Sequence, residues 1–237
     1  DSGPMAIDMG AQFASCWLML WGMSAPRLHV PAVPARPGES PDFSYVRLSP
    51  AGAVHCLPID APVSATVPLA EELIRVLDDA HHAVGPWNPQ LDPEVLRRGL
   101  RTMLQTRVFD DRMQRAQRQG RITFYVRSLG EEAVSVAAAM ALSDRDMLFP
   151  SYRNQGLHLA RGLTLVEMMS QLLSNTRDMC KGRQLPVMYH STAHRLFSIS
   201  GKLATQFPQA VGWAMAAAIK GESDIAAAWI GEGSTAA

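Results

Sequence analysis

The last third of the chain constrains its fold most. "LATQFPQAVGWAMAAAIKGES" is a helical stretch crowded with Ala and Gly, ended at Gly221, and it is followed by the apolar run Ile225 to Ile230 and then by Gly231-Glu232-Gly233. Helix, glycine turn, buried strand, then a glycine-flanked carboxylate is the order of an α/β unit. In open parallel sheets, ligands bind at the carboxyl ends of such strands. The small residues let a backbone or ligand come close, and the polar residues Ser200, Thr205 and Gln206 precede the run where a helix start would offer free N–H groups. Tight helix packing alone would explain the alanines; the strand and turn that follow favour a site. Glu232 reads either as a solvated turn residue or as a hard oxygen ligand for Mg²⁺, with the glycines allowing the tight turn. On its own the triplet matches many turns by chance.

Upstream, "LDPEVLRRGLRTMLQTRVFDDRMQRAQRQGRI" predicts one long amphipathic helix. It has Asp92 as N-cap, Pro93 at the first helical position, Gly120 as stop, and apolar residues from Val95 and Leu96 through Leu100, Leu104, Val108 and Phe109 to Met113. "GEEAVSVAAAMAL" predicts a second helix, and "TLVEMMSQLLSN" a third, with Thr164 and Glu167 at capping-box spacing. "DMLFPSYR" reads as a short strand running into a loop. The expected fold is therefore α/β, a parallel sheet flanked by helices, with the Ile225 to Ile230 strand buried and parallel to the strand near Met147.

Composition narrows the function classes. The chain has 237 residues, 47% of them hydrophobic, enough for one large domain with an extended arm. Lys plus Arg and Asp plus Glu are equal at 22 each, which removes the global basic field of a nucleic-acid binder. Cys16, Cys56 and Cys180 are odd in number and far apart, as suits a reducing, cytoplasmic compartment, and they offer no metal-ligand spacing. Phe13 to Met23 is too short to span a membrane, and no Lys or Arg precedes it as in a secretory signal. Residues 1–22 read as upstream sequence with Met23 as the better start, 23–90 as a Pro-rich arm and linker, and 91–237 as the globular part. Of the seven histidines none reads as catalytic; His81, His82, His190 and His194 read as surface or turn residues.

Five ordered blocks, "SLGEEA", "FPSYRNQG", "KGRQLPVMY", "SISGKLATQFPQAVGWAMAAAIKG" and "WIGEGSTA", resemble the α subunit of the branched-chain 2-oxo acid dehydrogenases, thiamine-diphosphate-dependent decarboxylating enzymes, from about Phe43 to Ala237. The resemblance implies a thiamine-diphosphate-binding fold, cut short because the family's cofactor motif starts with G-[DE]-G and ends at an Asn pair farther on. On that ground 91–237 is the N-terminal part of the domain, and the fragment is inactive alone. The resemblance assigns Tyr152 and Arg153 to the diphosphate, Leu203 to the aminopyrimidine ring through its main chain, and Glu232, between Gly231 and Gly233, to Mg²⁺. It places a structural K⁺ site at Ser200, Lys202, Thr205 and Gln206. Lys202 departs from the family, where Pro or another uncharged residue is usual, so only its carbonyl could ligate K⁺. Ser151 departs where some relatives carry Gln, which touches only the substrate contact.

The implied activity is decarboxylation of a 2-oxo acid with acyl transfer to a lipoyl group. The implied partners are a β subunit in an α2β2 heterotetramer and a lipoyl-bearing acyltransferase core. "GRQLP" resembles the branched-chain members, with pyruvate or acetoin dehydrogenase α subunits as the alternative. Two other readings compete: a non-catalytic subunit-interaction fragment, and a nicotinamide dehydrogenase. The latter needs G-x-G-x-x-G and meets Ala236 at the third glycine.

Overall fold

The structure is a computed structural model that describes residues 49–58, 60–70 and 72–236, with the side chains of Ala70, Glu232 and Ala236 excepted. The expectations for 1–22, for Cys16 and for the arm up to residue 48 lie outside the described residues. The chain divides between Gln90 and Leu91 into two units. In the first, α1 (Val63–Thr66) continues into a 3₁₀ turn at Val67–Ala70, and an antiparallel bridge joins Leu77 to Ala83. Gly52 and Gly85, at φ +78° and +81°, lie in contact: a Cβ on Gly85 would stand 2.3 Å from the Gly52 Cα.

The second unit carries α2 (Pro93–Arg118), α3 (Glu132–Ala141), β1 (Met147–Phe149), α4 (Gln155–Ala160), α5 (Leu165–Leu172), α6 (Gln206–Lys220), β2 (Ala226–Ala228) and a 3₁₀ turn at Glu232–Ala236. The local signals act as expected. Asp92 accepts the Glu94 N–H at 2.7 Å, Thr164 and Glu167 close a reciprocal capping box, and Gly221 ends α6 in the left-handed conformation at φ 74°.

β1 and β2 pair in parallel, Met147 to Ala226, Leu148 to Ala227 and Phe149 to Ala228. On the other edge of β1, Leu148 donates its N–H to the Arg195 carbonyl (2.9 Å) and accepts from the Phe197 N–H (2.8 Å), so residues 195–197 run alongside in parallel as well. Alternation sorts the two faces. Met147 and Phe149, with Ala226 and Ala228, meet Ala210 and Trp213 of α6, while Leu148 and Ala227 meet Ala139 of α3 and Leu157 of α4. Helices thus cover both faces, as a parallel sheet requires.

Three expectations change. The strand is three residues long and half-buried: Ile225 and Ile230, expected to be its buried ends, are 54% and 42% exposed, because β2 has a partner on one edge only among the described residues and its alanines leave little to bury. The long helix forms, but Leu96, Leu100, Leu104 and Val108 all face outward. Its buried side carries Gly99, Thr106, Phe109 and Asp110. Small side chains at the crossings explain this: α2 meets α3 where Gly99 faces Met140, and a Cβ on Gly156 of α4 would already stand 3.2 Å from the Thr106 hydroxyl. Finally, α6 starts at Gln206 rather than Leu203, since Ala204 sits at φ 61°.

Among the described residues no helix is long and apolar enough to cross a membrane. Phe109, Ile122, Tyr125, Leu163, Met168, Val187 and Tyr189 form a second apolar core.

Candidate cofactor site

Three parallel segments deliver their following loops to one edge of the sheet: Ser151 to Arg153 after β1, Ser200 to Gln206 after residues 195–197, and Trp229 to Gly233 after β2. Between them lies a cavity of about 440 Å³, the size of a small-molecule site. Tyr152, Arg153, Ser200, Lys202, Leu203, Gln206, Gly231 and Gly233 line it, joined by Glu131 and Val134 from the start of α3 and by Ser151, Trp229, Ile230 and Ser234. Residues far apart in sequence thus line one cavity. Thr205 stands behind the lining, and Glu232 is placed only by its backbone at the start of the terminal 3₁₀ turn, its side chain lying outside the described residues.

Buried polar side chains hold the loops. The Asn154 carboxamide oxygen accepts both the Ser151 N–H and the Ser151 hydroxyl at 2.8 Å, while its NH₂ donates to the Ser135 hydroxyl at 3.0 Å. Gln155 donates to the carbonyls of Val126 (2.9 Å) and Tyr152 (3.2 Å). Asp110, fully buried, accepts from the Tyr125 hydroxyl (3.0 Å), Arg127 Nε (2.8 Å) and the Ser128 N–H (2.7 Å), and this fixes the Arg127 carbonyl. Arg153 donates Nη1 to that carbonyl at 2.7 Å, and its guanidinium carbon lies 5.8 Å from the Tyr152 ring centroid. No carboxylate among the described residues forms an ion pair with Arg153, so its remaining N–H groups are open to a ligand and the surface salt bridge that would otherwise explain it is absent there.

In the loop after residues 195–197, Ser200 Oγ accepts the Lys202 N–H (3.2 Å), and the Thr205 hydroxyl donates to the Lys202 carbonyl (3.2 Å) with Ser200 Oγ 3.4 Å away. Three oxygens of the expected K⁺ set therefore cluster, and the Lys202 carbonyl, not its ammonium, belongs to them. Gln206 turns its amide to the Trp229 carbonyl (2.5 Å), tying the start of α6 to the end of β2.

Adjacent acids at the rim are driven apart. The Glu132 carboxyl is held below its ordinary value because Arg107 Nε donates to it at 2.5 Å, helped by the Gly130 N–H. Burial pushes Glu131 upward, opposed by Arg153 and reinforced by Glu132. Glu131 escaped the sequence reading although "SLGEEA" stood among the resembling blocks; which of the two carboxylates reaches the cavity depends on the helix start. His158 also escaped it, and is the buried histidine among the described residues. His81 and His82 are exposed and His194 lies in a turn, as expected, whereas His190 is half-buried with Nδ1 3.4 Å from Cys180 Sγ. Among the described residues no group of three or more His, Cys, Asp or Glu side chains could hold a metal ion.

The donor set fits a diphosphate. A guanidinium fork, a phenol and a lysine face a cavity floored by glycine backbone, and a Cβ added at Gly231 would meet nothing within 4 Å, so that glycine leaves open space.

An α/β unit with its cavity at the strands' carboxyl ends, lined by a diphosphate-type donor set, has its counterpart among known proteins: residues 100–237 match the model of the dehydrogenase E1 component family, and the chain belongs to that family. Residues 24–64 match the model described as the 2-oxoisovalerate dehydrogenase E1 alpha subunit N terminal, so the likeness begins well before Phe43. The chain is 59% identical over 210 residues to the 2-oxoisovalerate dehydrogenase subunit alpha of Pseudomonas aeruginosa, covering 89% of this chain and 51% of that protein. It is 39% identical over 162 residues to the mitochondrial subunit alpha 2 of Arabidopsis thaliana and 37% identical over 162 residues to the mitochondrial subunit alpha of Bos taurus, covering 68% of this chain and 34% and 36% of theirs. The chain thus spans about half the length of the bacterial relative and about a third of the other two.

Proposed function

We propose that this chain forms part of the α subunit of a thiamine-diphosphate-dependent dehydrogenase that oxidatively decarboxylates branched-chain 2-oxo acids and passes the acyl unit to a lipoyl group. The observation that carries this reading is the convergence of Tyr152, Arg153, Leu203 and the Gly231–Gly233 turn on one cavity. The match of residues 24–64 to a family described for 2-oxoisovalerate dehydrogenase favours branched-chain substrates over pyruvate or acetoin. The partners in this reading are a β subunit, in an α2β2 assembly, and a lipoyl-bearing acyltransferase core, and the compartment is the cytoplasm.

Thiamine diphosphate, when bound, supplies the electron sink that decarboxylation of a 2-oxo acid needs. The protein's part is orientation and electrostatics. Arg153, held by the Arg127 carbonyl, and Tyr152 would grip the diphosphate; the Leu203 main chain would face the aminopyrimidine; Glu232 would ligate Mg²⁺ beside the diphosphate. Ser200, the Lys202 carbonyl, Thr205 and Gln206 would hold K⁺ behind the wall, stiffening the loop that presents Leu203.

Calorimetric titration of thiamine diphosphate with Mg²⁺ into the complete subunit paired with its β partner tests the reading. Arg153→Lys replaces a planar fork by a point charge and is expected to weaken binding; Arg153→Ala is expected to weaken it about ten- to a hundredfold. Unchanged affinity in Arg153→Ala would remove the cofactor site as mapped here.

A further inference from the structure

Lys202 belongs, by its carbonyl, to the loop oxygens behind the cavity wall, yet the residue also lines the cavity. Its backbone is fixed at both ends, the N–H on Ser200 Oγ and the carbonyl on the Thr205 hydroxyl, while its ammonium forms no ion pair among the described residues. A rigid base carrying a free charge on a four-carbon stem suits a cation that must swing onto an arriving ligand.

Charge balance says what that ligand is. Among the described side chains lining the cavity, Arg153 and Lys202 are the cations and Glu131 is the anion. With Glu131 ionised, Arg153 alone would leave the lining neutral, and the carboxylate would oppose any phosphate drawn to the guanidinium. Lys202 tips the described lining to net positive, and Glu232, given to Mg²⁺ in this reading, is matched by its ion. From this we infer that the Lys202 ammonium is a second diphosphate-binding cation, acting with Arg153 in the same cavity, and that it selects the diphosphate form of the cofactor over unphosphorylated thiamine. The inference rests on the reading of this cavity as a thiamine diphosphate site.

The test measures equilibrium binding, without turnover, of Mg²⁺–thiamine diphosphate, Mg²⁺–pyrophosphate and thiamine to the complete subunit paired with its β partner. It compares the unaltered protein, Lys202→Met, Lys202→Arg and Arg153→Ala. Lys202→Met is expected to weaken both diphosphates roughly two- to fivefold, the range of a solvent-exposed charge contact, and to leave thiamine unchanged. Lys202→Arg should restore most of the loss, and raising the salt concentration should shrink the gap between Lys202→Met and the unaltered protein. Undiminished diphosphate affinity in Lys202→Met, with Arg153→Ala weakened, would overturn the role of Lys202 and leave the cavity assignment standing. Equal weakening for thiamine and the diphosphates would show a distorted wall instead of a lost charge, and would equally overturn it. No binding of thiamine diphosphate to the unaltered protein would remove the cavity assignment and this inference together.

Discussion

His158 gives the molecule an acid-sensitive core. Its ring is fully buried in α4, donates Nδ1–H to the Asn154 carbonyl at 2.7 Å, and meets the Tyr189 ring edge-on with centroids 5.2 Å apart. Nε2 and the Tyr189 hydroxyl have no partner among the described residues. A charge there would be stranded, and burial pushes the His158 pKa down from 6.5 to about 4. Because the folded value lies below the unfolded one, the unfolded chain binds more protons between pH 6.5 and 4. Stability is therefore full above about pH 6.5 and is lost as the pH falls through that window. Integrating from pH 7 to pH 5 gives a loss of about 2 kcal/mol from this one residue.

Other groups can be separated from it. Glu132 and Glu167, both held below their ordinary values by hydrogen bonds from Arg107 and Thr164 respectively, lose their contributions only below about pH 4.5. Glu131, pushed up by burial, acts in the opposite sense, gaining stability as the pH falls from its folded value toward 4.5. Urea unfolding followed by circular dichroism at pH 7 and pH 5 reads the sum. His158→Phe keeps a ring against Tyr189, and the Asn154 carbonyl retains the Leu157 N–H at 3.0 Å, so the variant should flatten the pH dependence by about 2 kcal/mol. A slope unchanged in His158→Phe would refute the assignment of the acid sensitivity to this ring.

Asp110→Ala should cost roughly 2 to 4 kcal/mol in urea unfolding, because the Tyr125 hydroxyl and the Ser128 N–H lose their interior acceptor; Arg127 adds little, since it is a third exposed and keeps Asp111. A loss under about 1 kcal/mol would mean that water replaces the carboxylate. Thr164→Ala opens the capping box of α5 and is expected to cost about 1 kcal/mol, read as a fall in Tm of about 2 to 4 °C; no fall would place the stability of α5 in its packing alone. Gly85→Ala forces a Cβ onto the Gly52 backbone at a positive φ, and the expected result is localised loss of hydrogen-exchange protection around residues 75–85; unchanged protection would show that the Gly52–Gly85 contact is not needed to hold this segment.

Helix boundaries were legible because their signals are local. Asp92, Thr164 and Gly221 each act within a few residues, and the parallel pairing of the two short strands follows from the helical crossover between them, α4 to α6. Burial along α2 was less so. Period 3.6 marks Leu96, Leu100, Leu104 and Val108 as an apolar stripe, but which side of a helix is covered depends on its neighbours, and here Gly99 and Thr106 win the buried side by allowing closer approach to α3 and α4. α4 is six residues long and carries a glycine; too short to show a period, it is held by tertiary contacts of Asn154, Gln155 and Leu157. In the candidate site the glycine turn, the Tyr152–Arg153 pair and the Ser200 loop could be picked out by residue type and resemblance. Glu131 could not, because its place in the cavity depends on where α3 begins.

The division of labour between buried and exposed polar groups ties these points to function. Asp110, Asn154 and Gln155 are buried and spend their hydrogen bonds on loop backbone, so the conformations of residues 125–128 and 151–153 are set before any ligand arrives. Arg153 and Lys202 are exposed: one guanidinium N–H of Arg153 is held by the Arg127 carbonyl, the Lys202 backbone is held by the Ser200 and Thr205 hydroxyls, and neither charge forms an ion pair among the described residues. Ordering a loop costs conformational entropy, and a site whose backbone is already ordered asks a ligand to immobilise only two side chains. The same arrangement makes the site vulnerable at a distance. Arg153 rests on the Arg127 carbonyl, and Arg127 rests on Asp110, so a change in the buried carboxylate should reach the cavity through Arg127.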